Sequence, residues 1–364
     1  MTTPSENQLR VVAIGGGTGL STLLRGLKRY VAAPHGVTPS SRPRSERHIP
    51  CLIRDLSAIV TVTDDGGSSG RLREDLNILP PGDIRNCLVA LSEDEHLLSQ
   101  LFQHRFTQGD LDGHSFGNIF VAALSAVTGD FAQAVQMASQ ILATRGRIFP
   151  ATTANATLTA RMYDGSLVHG ETNISASKNA IAELMIEPAD AKALPEALDA
   201  IRSADLITIG PGSLYTSLVT NLLVRGVPGA LAASRATRVY ICNLMTQANE
   251  SLGLTASQHI EKILNHVGAQ IFDYALINIG PIHAKALAQY KREGQSPIEA
   301  DLDNIRKLGV EPITGNFVHE GEVLRHSYDF VAETLLHLAL DGNTTSHATA
   351  HPFDLERLHE PAHK

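Results

Sequence analysis

The sequence predicts an α/β protein: a doubly wound, mainly parallel sheet with a helical insertion and a β-hairpin. Three observations predict it. Short apolar runs alternate with amphipathic stretches along most of the chain. Two of these runs, "VVAI" and "LITI", break into the glycine-rich turns Gly15–Gly19 and Gly210–Ser213 and then resume at helical spacing. A third run, Ala58–Val62, leads directly into "TDDGGSSGR".

Taken in order, Arg10–Ile14 reads as a short buried strand. Leu20–Tyr30 follows as a helix with Leu20, Leu23, Leu24 and Leu27 on one face. Val31–Leu56 is rich in Pro, Ser and Arg and reads as an exposed insertion with little structure of its own. From Gly82 to about Arg145 the pattern is helical, three or four short helices forming a cap. "TLTARMYDGSLVHGE" alternates around Asp164–Gly165, a hairpin signal. Ile181–Ile186, Leu206–Ile209, Val239–Asn243 and Tyr274–Ile279 read as further strands, with helices beginning near Leu194, Ser213, Thr255 and His283. The expected organisation is one domain over residues 9–340 and a loose tail over 341–364, with no solenoid repeats.

Composition narrows the function classes. A formal net charge of −8 argues against nucleic acid as the main partner. Cys51, Cys87 and Cys242 are widely spaced and fit reduced core residues better than a disulfide or zinc framework. No apolar stretch reaches membrane-spanning length, and "MTTPSENQLR" lacks the form of a signal peptide. The expectation is a soluble cytoplasmic protein without a membrane partner.

Gly15, Gly16, Gly17, Thr18 and Gly19 lie between a strand and a helix, where backbone amides and the helix dipole favour an anion. A dinucleotide fingerprint needs glycine or alanine where Leu20 stands, and no lysine appears before Lys28 to complete a P-loop. The plain alternative is a tight turn without a ligand. Gly210, Gly212 and Ser213 repeat the design, so two such loops would face one crevice at the carboxyl ends of parallel strands. Asp64 and Asp65 suit a ribose, a sugar hydroxyl or magnesium, and Gly66, Ser68 and Ser69 suit a phosphate. An Asp-Asp-Gly-Gly stretch can equally be only a turn. Ser21 adds a hydroxyl donor, and Asn243, Thr246 and Gln247 follow a strand where they could read a base edge. Asp83, Asn86, His114, Ser115 and Asn118 are candidates to face the ligand. Asp112 or Ser115 is expected to cap the helix beginning at Phe116. Arg145 and Arg147 fit a phosphate or an acidic neighbour, and His347, His351, His359 and His363 are too irregular for a strong metal motif.

Six blocks, "AIGGGTGLSTLLRGLK", "VTVTDDGGSSGRLR", "PPGDIRNCLVALS", "GHSFGNIFVAAL", "DLITIGPGSLYTSLVTNLLV" and "ICNLMTQ", resemble the bacterial YvcK or gluconeogenesis factor family. That family is related to 2-phospho-L-lactate transferase. The resemblance implies a Rossmann-like fold, a nucleotide-sugar ligand such as UDP-N-acetylglucosamine, a homodimer, and a role in cell shape and envelope synthesis on gluconeogenic carbon. It also matches Asp64 or Asp65, and less closely Arg85, to residues that contact the acceptor in the transferases. Here Ile84 separates Asp83 from Arg85, a departure from the transferase pattern. Two readings follow: a nucleotide-sugar-binding regulator working through envelope-synthesis or regulatory proteins, or a transferase with magnesium on Asp64 or Asp65. The regulator is favoured because no unmistakable nucleophile or general base accompanies the phosphate crevice. A nicotinamide-dependent dehydrogenase is disfavoured by the broken fingerprint.

Overall fold

The computed structural model describes residues 8–32, 50–93, 97–321 and 323–344. Its strands are β1 (Leu9–Gly15), β2 (Ile53–Val60), β3 (Arg147–Pro150), β4 (Thr157–Met162), β5 (Leu167–His169), β6 (Ile181–Glu187), β7 (Leu206–Ile209), β8 (Thr237–Ile241), β9 (Tyr274–Asn278), β10 (Glu311–Gly315), β11 (Val318–Glu320) and β12 (Leu324–His326). The helices are α1 (Gly17–Lys28), α2 (Gly67–Leu76), α3 (Gly82–Leu91), α4 (Leu97–Gln103), α5 (Phe116–Thr128), α6 (Phe131–Ile141) and α7 (Glu171–Ala176) in the first half. Then come α8 (Pro195–Ser203), α9 (Thr220–Leu223), α10 (Val227–Ala233), α11 (Ala256–Val267), α12 (Ala284–Lys291), α13 (Leu302–Lys307) and α14 (Tyr328–Thr344).

Seven strands form the main sheet in the order β10-β9-β8-β7-β1-β2-β3. Every pairing in it is parallel. The expected α/β class with a mainly parallel sheet is the observed one. Strand β1 shows why its sequence reads as a continuous apolar run. Val12 and Ile14 enter the core on one face, and Leu9, Val11 and Ala13 enter the core on the other. A strand between two helical layers has no polar face to display. On α1, Leu20, Leu23, Leu24 and Leu27 are all buried, each contributing about 1.5–3 kcal/mol of apolar burial. That helix packs on α3 and α14. A Cβ on Gly26 would stand 2.4 Å from the Tyr328 carbonyl oxygen, so only glycine permits the α1–α14 approach.

Several expectations need correction. The second strand begins at Ile53, inside the stretch read as an unstructured insertion. Ile53 and Leu56 are buried, while Arg54 and Asp55 turn outward and disguise the pattern. Residues 33–49 of that insertion lie outside the described residues. The strand expected at Ile181–Ile186 is present as β6, which joins β4 and β5 in a separate antiparallel sheet. The hairpin between β4 and β5 turns at Asp164–Gly165, with Gly165 at φ +84 and the Asp164 carboxylate accepting from the Ser166 amide. Strand β3, strand β10 and the β11–β12 hairpin have no counterpart in the sequence reading. Helix α14 runs to Thr344, past the expected boundary at 341, and the tail histidines lie outside the described residues. Among the described residues no helix is long and apolar enough to cross a membrane.

Candidate functional site

The first glycine loop leaves β1 at Gly15 and enters α1 at Gly17, which adopts φ +62. A helix start leaves its first amides without intrahelical partners. The Gly17 amide donates to Asp83, and Thr61 Oγ1 donates to Asp83 Oδ2 at 3.1 Å. Desolvation raises the Asp83 pKa, and the Gly17 and Thr61 hydrogen bonds oppose that rise. The loop also needs close backbone approach. A Cβ on Gly16 would lie 2.7 Å from Asp83 Oδ2, and one on Gly19 would lie 2.4 Å from the Pro211 oxygen.

The second glycine loop therefore presses directly on the first. Buried Asn221 ties them further, donating from Nδ2 to the Gly15 oxygen at 3.0 Å and to the Ser217 oxygen at 2.7 Å. After Ser213 the chain forms a π-helical segment, Leu214–Val219, that continues into α9. Glu250 holds this segment's first amides: Tyr215 N donates to Oε2 at 2.9 Å and Thr216 Oγ1 to Oε1 at 2.7 Å. Desolvation raises the Glu250 pKa. These amides thus have a carboxylate of the chain itself, 34 or 35 residues away and marked by no local pattern.

Together the loops border a cleft of about 550 Å³. Gly16, Gly17, Thr18, Gly19, Gly212, Ser213, Asn243, Thr246 and Gln247, all candidates in the sequence, line it together. Asn243, Thr246 and Gln247 also brace the walls. Thr246 Oγ1 accepts from the Ser296 amide at 3.0 Å, and Gln247 Nε2 donates to Ser213 Oγ at 3.1 Å. The opposite wall comes from α12, the β11–β12 hairpin and the start of α14, through Tyr290, Arg325, His326 and Tyr328. Among the described lining residues, Arg325 is the one Lys or Arg, and its guanidinium makes no ion pair. His326 Nε2 donates to the Cys242 oxygen at 3.0 Å, and burial lowers its pKa to about 4. The Tyr290 hydroxyl accepts from the Leu324 amide at 3.1 Å, fixing the hairpin over the cleft. Arg325 and His326 escaped sequence reasoning because the hairpin carries neither a glycine signature nor a helical period.

Gly15, Ser21 and Gly210 shape the loops without lining the cleft. The Ser21 hydroxyl donates to the Thr18 oxygen at 3.0 Å, and Gly210 sits at φ +91 before a cis peptide to Pro211. The remaining candidates gather at the starts of α2, α3 and α5. Ser68 Oγ lies 3.1 Å from His114 Nδ1, and Asn118 Nδ2 donates to Ser68 Oγ at 3.1 Å and to Ser69 Oγ at 3.4 Å. Ser115 is the cap of α5, accepting from the Asn118 amide, and it also accepts from Arg85 Nη1 at 2.7 Å. Arg85 Nη2 donates to Asn86 Oδ1 at 2.8 Å. Burial lowers the Arg85 pKa, with Arg105 adding to the effect. Asp64 Oδ1 accepts from the Gly66 amide at 2.9 Å, whereas Asp65 Oδ1 accepts from the Thr172 amide and hydroxyl at the start of α7. Glu171 beside them is pushed well above the usual carboxylate range, by burial first and Asp64 second. Among the described residues no three His, Cys, Asp or Glu side chains gather as metal ligands. Arg145 and Arg147 pair with acidic neighbours, Glu93 and Asp55.

Comparison with known proteins places this geometry. The family model described as 2-phospho-L-lactate transferase CofD matches residues 11–318. The gluconeogenesis factor of Halalkalibacterium halodurans is 46% identical over 328 residues, covering 90% of this chain and 95% of that protein. The gluconeogenesis factor of Bacillus subtilis is 44% identical over 331 residues, covering 90% and 98% respectively. A crystal structure of a UPF0052-family protein from Bacillus halodurans superposes with a TM-score of 0.82 at 46% identity, over 91% of this chain and 99% of that one. The chain therefore belongs to the 2-phospho-L-lactate transferase CofD family, alongside the gluconeogenesis factors.

Proposed function

We propose that this protein is a nucleotide-sugar-binding regulator, with a ligand of the UDP-N-acetylglucosamine type in the cleft between the two glycine loops and the hairpin. One observation carries the reading: the cleft is lined by glycine-loop backbone together with one guanidinium, Arg325, that makes no ion pair among the described residues. Backbone amides and a single Arg suit a diphosphate, since hydrogen bonds to charged groups are the strong ones. The lining also supports binding over chemistry. His326 is held neutral and spends its Nε2 proton on a backbone carbonyl, so it is poorly placed as a general base.

In this reading the protein works in the cytoplasm, as a homodimer, reporting precursor supply to envelope-synthesis or regulatory proteins and so supporting cell shape on gluconeogenic carbon. The names of the relatives support the gluconeogenic setting. A second reading, a transferase using a nucleoside-diphosphate-linked donor, is favoured by the polar cluster of Asp64, Ser68, Arg85 and His114 and by the matching family model. Magnesium on Asp64 belongs to that reading, while Asp65 is already committed to Thr172. Mass spectrometry of the nucleotide that copurifies separates the two. A nucleotide sugar recovered intact supports the regulator, and a nucleoside mono- or diphosphate left after donor cleavage supports the transferase.

A further inference from the structure

Two carboxylates stand directly behind the cleft's anion-binding walls. Asp83 takes the Gly17 amide and lies under Gly16, close enough that a Cβ there would sit 2.7 Å from Oδ2. Glu250 takes the Tyr215 amide at 2.9 Å, between Ser213 and Ser217, which both line the cleft. Neither forms an ion pair among the described residues. Asp64 adds negative charge near Asp83 and Arg85 opposes it; Glu250 contacts only amides and the Thr216 hydroxyl. Against them the described lining of the cleft offers one Lys or Arg, Arg325.

This balance sets a limit on ligand charge. A diphosphate bridging a nucleoside and a sugar is a diester at both ends and carries about two negative charges. A nucleoside diphosphate ends in a free phosphate, whose second pKa near 6 gives it about one more charge at pH 7.5. Each added charge gains from Arg325 but meets Asp83 and Glu250 across a few ångströms of poorly solvated backbone. Coulomb energies there are several times larger than in water.

We infer that Asp83 and Glu250 are specificity-determining residues that make the cleft select a diphosphodiester over a nucleotide ending in a free phosphate. The inference rests on the proposed diphosphate reading and sharpens it. It explains why the loops expend amides on carboxylates of the chain: the same contacts that hold the loops rigid also repel surplus ligand charge. A regulator that reports nucleotide-sugar supply needs such discrimination, because the free diphosphate is what glycosyl transfer from a nucleoside-diphosphate sugar releases.

The test is titration calorimetry at pH 7.5 with UDP-N-acetylglucosamine, UDP and UTP against the wild type, Asp83→Asn and Glu250→Gln. Both substitutions are isosteric and keep an oxygen acceptor for the amides. In each variant the affinity for UDP relative to UDP-N-acetylglucosamine should rise roughly three- to tenfold, and that for UTP further, as one opposing charge is removed. In the wild type, affinity should fall from UDP to UTP. A purely structural role would weaken all three ligands in parallel and leave the ratios unchanged, which overturns the inference while sparing the binding site. A wild type that binds UTP more tightly than UDP overturns it without any variant. Failure of the wild type to bind any of the three overturns the diphosphate reading and the inference with it.

Discussion

Asn243 grips Gly212 through both of the peptides that flank it: its Nδ2 donates to the Gly212 oxygen at 2.8 Å, and its Oδ1 accepts from the Gly212 amide at 3.4 Å. The residue that reads from sequence as a contact for a base edge thus holds the second glycine loop in place. Asn243→Ala should lower nucleotide-sugar affinity by up to about 30-fold, since two neutral hydrogen bonds of about 1 kcal/mol each restrain the loop. Calorimetry checks this; an unchanged Kd in a folded variant would detach the loop's order from binding.

The first loop separates two effects of glycine. Gly17 has open space around a built Cβ, but φ +62 makes a β-branched residue strained by about 1–3 kcal/mol. Gly19 has ordinary φ but would drive a Cβ into the Pro211 oxygen. Gly17→Val should therefore block ligand approach, and Gly19→Ala should also lower the melting temperature by separating the loops. Thermal unfolding of the two variants beside their binding isotherms tests the distinction. Full affinity in folded Gly17→Val would remove the loop from the site.

Among the described residues, Arg325 is the lone guanidinium on the cleft wall. Its loss should cost one charge-assisted contact, about 1.5–3 kcal/mol or roughly 10- to 150-fold in Kd. Arg325→Ala should also flatten the dependence of affinity on salt. Equal salt slopes in variant and wild type would place the anion elsewhere.

Much of this was legible in the sequence, and the exceptions have physical causes. Strands β1 and β7 and their glycine loops stand out because central parallel strands are apolar throughout and glycine is needed at the loop contact. Strand β10 is a five-residue edge whose first residue, Glu311, is exposed, so it offers little apolar signal. The pairing of β6 with β4 depends on a distant register that no local pattern encodes. Tyr290 and Arg325 reach the cleft only through the tertiary docking of α12 and the β11–β12 hairpin, and Glu250 lies in a turn with no periodicity.

Two histidines tie stability to pH. Burial lowers both His259 and His326 to about 4. Their folded pKa values lie below the unfolded value near 6.5, so the unfolded chain binds more protons between these limits. Their contribution is fully present above pH 6.5 and is lost as pH falls toward 4, by up to about 3 kcal/mol for each. Asp83, Glu171 and Glu250 are shifted upward and act in the opposite sense, so the comparison must be made residue by residue. Denaturant unfolding of His259→Gln and wild type from pH 7 to 4 should give a shallower acid decline in the variant. Parallel curves would mean that His259 titrates normally.

The binding reading itself is tested most directly by calorimetry of the wild type with UDP-N-acetylglucosamine, run with magnesium and again with a chelator, followed by recovery of the ligand. Amides and Arg325 hold a ground-state diphosphate without a cation, whereas phosphoryl transfer calls for one to neutralise developing charge. The expected result is saturable binding of one ligand per chain, of nearly equal affinity in both buffers, with the ligand returned intact. Magnesium-dependent release of UDP or UMP that disappears in Asp64→Asn would contradict it and establish the transferase.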